Sequence, residues 1–85
     1  MRIDKFLKVS RLIKRREIAK QLCDDQDVFL NGKPAKPSAE VNAGDRLSLH
    51  LGKRRIEAEV LLLLPVANKD QASSMYRIID SKIVE

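Results

Sequence analysis

The chain has 85 residues, 44% of them hydrophobic and 4% aromatic, with a formal net charge of +5. That length predicts one domain and excludes a TIM barrel, a dinucleotide-binding fold with a substrate domain, or any two-domain enzyme. No 18-residue apolar run or signal peptide is present, and the lone Cys23 makes neither an internal disulfide nor a Cys-based zinc site, so the expectation is a cytoplasmic protein without membrane partner, metal or cofactor.

Mapping the charge sharpens this picture. Residues 1–20 hold eight basic side chains against two acidic ones, a net +6, and residues 21–85 hold nine against ten. A basic excess confined to the first quarter of the chain is the footprint of a polyanion binder. The same segment predicts two helices. The first runs from Asp4 to Leu12, with Asp4 as its cap and Ile3 and Leu7 as apolar contacts. The second runs from about Arg15 to Asp25, with Ile18, Ala19 and Leu22 toward the core and Cys23 bordering that stripe as a small buried hydrophobe. Arg15 and Arg16 at its start oppose the helix dipole, and a local rule broken in this way points to a ligand such as phosphate.

Beyond Asp24-Asp25-Gln26 the period changes. Val28–Leu30 predicts a short strand ending at the Asn31-Gly32 turn, and 33–44 predicts a loop punctuated by Pro34, Pro37 and Ser38. Leu47, Leu49 and Leu51 alternate with Arg46, Ser48 and His50. After a turn at Gly52-Lys53, Ile56, Ala58 and Val60 alternate with Arg55, Glu57 and Glu59, which predicts a hairpin. Leu61–Leu64 reads as buried strand or strand end, stopped by Pro65, and residues 70–76 as a helix followed by an extended tail. Catalysis finds no footing: His50 has no catalytic partner, no glycine-rich phosphate loop is present, and the pairs Asp24-Asp25 and Glu57/Glu59 lack an enclosing pocket. The expectation is a protein that is not an enzyme.

The run Arg2-Ile3-Asp4-Lys5-Phe6-Leu7, then Arg16-x-x-Ala19-x-x-Leu22, Val28-x-Leu30-Asn31-Gly32, Lys36-Pro37-Ser38, Val41 and Gly44-Asp45-x-Leu47-x-Leu49 resembles the S-four RNA-binding domain family. The match covers about residues 1–51 in order. It implies an α+β fold of the αL type, two short N-terminal helices on a small, curved, mostly antiparallel sheet. Residues 1–64 would form the RNA-binding domain and 65–85 a C-terminal extension. The stand-alone opening and the tail Ala72-Ser73-Ser74-Met75-Tyr76 are similar to the RqcP branch, related to the heat-shock S-four proteins. That branch implies binding to large ribosomal subunits obstructed by peptidyl-tRNA, with contacts to rRNA and tRNA, in support of C-terminal alanine tailing by an RqcH-type factor. The alternatives are a heat-shock-type recycling factor and a ribosome-assembly or translation-regulatory rRNA binder. A free monomer is expected.

Carried over position by position, the resemblance implies rRNA contacts first from Arg2, Arg15 and Arg16, whose guanidinium groups suit bidentate phosphate contact. Lys5, Arg11, Lys14 and Lys20 add electrostatic attraction, and Lys33, Lys36 and Ser38 reach RNA or tRNA from the loop. Asp4 caps the first helix and orients a nearby arginine, while Asn31 and Gly32 shape the supporting turn. Gln26 departs from the family pattern, standing where the family usually has Gly, and a left-handed Gln there costs about 1 kcal/mol.

Overall fold

Ile3, Phe6 and Leu7 fall at i, i+3 and i+4, the spacing of one helical face, and all three are fully buried. In the computed structural model, which describes residues 1–84, they lie on α1 (Ile3–Val9). The other elements are α2 (Arg16–Asp24), β1 (Val28–Leu30), β2 (Lys33–Pro34), β3 (Arg46–Leu51), β4 (Arg54–Val60), α3 (Lys69–Ser73) and β5 (Tyr76–Ile83). The strands form one antiparallel sheet in the order β2-β1-β3-β4-β5. The α+β architecture is the expected one. The loop expected over 33–44 contributes the two-residue strand β2, and the extended tail is a full strand, β5, paired along β4.

Period-two alternation on β3 and β4 gives the sheet two unlike faces. Val28, Leu47, Leu49, Ala58 and Val60 are buried, and all but Ala58 join one core cluster with Ile3, Phe6 and Leu7 of α1, Ala19 and Cys23 of α2, and Met75. The helices therefore cover this face. Burial pushes the Cys23 thiol up to about 11, reinforced by the charges of Asp4 and Asp24, which keeps it a neutral core group.

Three local expectations need correction. Helix α1 begins at Ile3 with Arg2 as its N-cap, and no side chain caps it; Asp4 sits in its first turn instead. It ends at Val9 rather than Leu12, because Ser10 closes it, Arg11 turns left-handed at φ 64°, and Ile13 N–H reaches back to Leu7 O at 3.0 Å. On α2 the buried pair is Ala19 and Cys23, one turn apart, and Ile18 is rotated out of the core and is 46% exposed. Leu61–Leu64 is not a strand: the β4 pairing ends at Val60↔Tyr76, and Leu61 and Leu62 N–H both turn to Met75 O. Leu61 and Leu62 are exposed, while Leu63 and Leu64 pack against the core.

Candidate nucleic-acid interface

The candidate interface centres on a buried charge. Asp4 is fully buried, and its carboxylate accepts four hydrogen bonds. Lys5 N–H donates at 2.8 Å, Arg2 Nε and Nη2 each donate at 3.2 Å, one to each oxygen, and Arg16 Nη2 donates at 3.3 Å. Burial pushes the carboxyl up. The hydrogen bonds from Arg16 and Lys5 N–H, and the charges of Arg16 and Arg2, outweigh that effect and hold it below the ordinary value. Asp4 thus stays ionised and fixes two guanidinium groups from opposite ends of the basic segment. Their side chains remain 48% and 41% exposed; Arg2 is held from beneath by one edge, Nε and Nη2, and Arg16 by Nη2 alone, its Nε buried without a partner among the described residues.

The surrounding chain is laced to this point. Ile3 N–H donates to Ala39 O at 2.8 Å, Asp4 N–H to Pro37 O at 3.3 Å, and Val41 N–H to Met1 O at 2.8 Å. The Met1 ammonium pairs with Glu40 at 3.1 Å. These bonds dock the loop bearing Lys36 and Ser38, both exposed, against the start of α1. Arg11, in its left-handed turn, and Lys14 occupy the connection between the helices, Arg15 is the N-cap of α2, and Lys20 follows Arg16 by one turn; all four are exposed. Lys5 is half-buried on α1. Lys33 lies apart on β2, at the edge of the sheet. Among the described residues, none of Lys5, Arg11, Lys14, Arg15, Lys20, Lys33 and Lys36 makes an ion pair.

Asn31 and Gly32 take φ of 51° and 84°, the two positive angles of a type I′ hairpin turn. The Asn31 amide donates to Asp45 at 3.1 Å and accepts from Arg46 N–H at 2.9 Å, tying the turn to the start of β3. Sequence reasoning missed one set of residues, on the sheet face away from the helices. Cross-strand register places His50 opposite Arg55 and Arg55 opposite Lys82. The outward alternation of β3 and β4 was readable, but the alignment with Lys82 needs the β5 register.

The S4 domain family matches residues 1–47. The chain belongs to the S4 domain family. Within it, the chain is 44% identical over 79 residues to the RQC P-site tRNA stabilizing factor of Bacillus subtilis, covering 93% of this chain and 92% of that one. The identity is 46% over 79 residues to the factor of the same name from Listeria monocytogenes, with 93% and 86% covered. Among solved structures, the trimeric heat shock protein 15 of Vibrio cholerae matches this S4 domain protein with a TM-score of 0.85 at 28% identity, over 92% of this chain and 80% of that one. The S4 domain match spans α1, α2, β1, β2 and the Asn31-Gly32 turn, and so includes every candidate site residue.

Proposed function

We propose that this protein is a non-catalytic RNA-binding factor of ribosome-associated quality control. It binds large ribosomal subunits obstructed by peptidyl-tRNA, touches rRNA and tRNA together, and steadies the P-site tRNA while an RqcH-type factor adds alanine to the stalled chain. The reading rests on one observation above all: a buried, ionised Asp4 holds Arg2 and Arg16 side by side on the only strongly basic segment. Guanidinium groups fixed before binding lose less freedom when they meet phosphate. The names of the Bacillus subtilis and Listeria monocytogenes relatives, both RQC P-site tRNA stabilizing factors, support the ribosomal setting. With one Tyr, two Phe and no Trp, base stacking is minor and recognition works through shape and phosphate.

In this account Arg2, Arg15 and Arg16 make the closest RNA contacts. Lys5, Arg11, Lys14 and Lys20 raise the local potential, and Lys33, Lys36 and Ser38 extend the footprint from the sheet edge and loop. Residues 1–64 are the RNA-binding unit and 65–85 its extension. The protein is a monomer when free, works in the cytoplasm, and does no chemistry itself: binding one state of the subunit more tightly shifts the population toward it.

Lys14 and Arg15 are exposed and free of ion pairs among the described residues, so they report on binding with little effect on stability. The double variant Lys14→Ala/Arg15→Ala is expected to weaken binding to large subunits. The slope of log affinity against log salt should fall by about 2, roughly one per lost phosphate contact. An unchanged slope would remove the helical face from the account.

A further inference from the structure

The face of the sheet turned away from the helices is arranged in cross-strand rows. In one, Arg46, Glu59 and Arg77 lie side by side, and Arg77 is hydrogen-bonded to Glu59. The next holds Ser48, Glu57 and Asp80. The last holds His50, Arg55 and Lys82, with Lys53 and Arg54 in the adjoining strand and turn. The first row alternates in sign, as sheets ordinarily do. The other two rows set like charges directly opposite one another, Glu57 against Asp80 and Arg55 against Lys82, an arrangement that destabilises a sheet within each row while the neighbouring rows differ in sign. Among the described residues neither Arg55 nor Lys82 has an acidic partner. Arg55 is instead held by the carbonyl oxygens of Gly52 and Arg54, and Val84 N–H binds Lys53 O at 2.7 Å, which fastens the end of β5 to the turn.

The second and last rows line an open concavity of about 340 Å³, with Ser48, His50, Arg55, Glu57, Asp80 and Lys82 on its walls beside Ile56 and Val84. The Phe29 ring lies 4.8 Å from the His50 ring, tilted by 41°. We infer that this concavity is a second RNA-binding surface, one that takes a phosphate on the His50–Arg55–Lys82 row. The inference rests on the RNA-binding reading above and adds to it a contact on the opposite side of the sheet. The flanking Ser48, Glu57 and Asp80 decide between occupants. Their oxygens accept hydrogen bonds from ribose 2′-hydroxyls and base amino groups, donors that alternate with phosphates along an RNA strand. An acidic protein segment offers no such alternation. The Phe29–His50 pair supplies a ring surface for one base. With phosphate contacts on both sides of its sheet, the protein is wedged between two RNA segments rather than laid on one.

The test compares three double variants for binding to large subunits carrying peptidyl-tRNA and to polyglutamate, over a salt series, with thermal melting as the check on folding. Arg55→Gln/Lys82→Gln is expected to lower affinity for the tRNA-bearing subunit roughly tenfold at about 0.15 M salt and to reduce the salt slope by about 2, additively with Lys14→Ala/Arg15→Ala. Because Arg55 also holds the turn, Lys53→Gln/Lys82→Gln is measured alongside and is expected to reduce the slope similarly with an unchanged melting temperature. If both sheet variants keep the parent affinity and slope while the helical variant loses them, the second surface is refuted and the reading above stands. If the helical variant also behaves as the parent, both fall. Loss of binding to polyglutamate with RNA binding intact likewise overturns the proposal.

Discussion

Asp4 joins stability to the proposed recognition at the scale of one side chain. It is fully buried, yet its carboxylate is ionised and held by Arg2, Arg16 and Lys5 N–H. Removing a partner leaves a buried charge less compensated, which is costly. Arg16→Ala is expected to lower unfolding free energy by about 2 kcal/mol in denaturant melts, well beyond the effect of the exposed Arg15→Ala. The pH dependence follows from the depressed Asp4 value. Its stabilisation is fully present above the ordinary 3.8 and is lost as pH falls through the lower folded value. Glu59, depressed by its hydrogen bond to Arg77 and by that charge, acts in the same direction. Asp4→Asn should therefore flatten, without abolishing, the fall in melting temperature between about pH 5 and about pH 2. An unaltered acid limb would show that Asp4 is not the group responsible. Gln26 is the second such residue. It occupies the C′ position of a Schellman motif at φ 60°, with Gln26 N–H on Cys23 O at 3.0 Å and Asp27 N–H on Leu22 O at 2.8 Å. Gln26→Gly relieves the left-handed strain and should raise stability by about 0.5–1 kcal/mol in the same melts.

Among the elements, those set by local pattern were the ones readable from sequence. Asn31-Gly32 announces a type I′ turn, and β3 and β4 alternate as read, with Leu47, Leu49, Ala58 and Val60 inward. Where tertiary contacts decide, the pattern misled. Ile18 looked like a core residue, but α2 packs through the smaller Ala19 and Cys23, which allow close approach and turn Ile18 outward. Leu61–Leu64 looked like a strand, but Met75 O captures the two N–H groups that would have extended the ladder. Asp4 reads as a cap that also orients a nearby arginine: it caps nothing, but it does hold Arg2 and, twelve residues away, Arg16. The five-residue α3 is too short to persist on local propensity. It is held by burial of Ala72 and by a capping box, in which Asn68 accepts Gln71 N–H at 2.8 Å and Gln71 accepts Asn68 N–H at 3.0 Å. Asn68→Ala should cost about 1 kcal/mol. Hydrogen exchange should locate the loss in residues 69–73 and leave α1 and α2 protected.

At the scale of the whole molecule, net charge concealed more than it showed. The near-neutral balance of residues 21–85 conceals an acidic row and a basic row that the sheet sets next to each other on one face. The helical face was legible because its charges are contiguous in sequence, whereas the second surface exists only through strand register. A small domain with cations on both sides of its sheet is suited to join two RNA segments. The proposed role is selective, favouring the subunit whose P site still holds peptidyl-tRNA. The most direct measurement is the dissociation constant for large subunits with and without peptidyl-tRNA, under one salt concentration. Binding to the tRNA-bearing subunit is expected to be tighter by roughly tenfold or more, with the preference diminished in Lys14→Ala/Arg15→Ala. Equal affinity for the two subunits would contradict it.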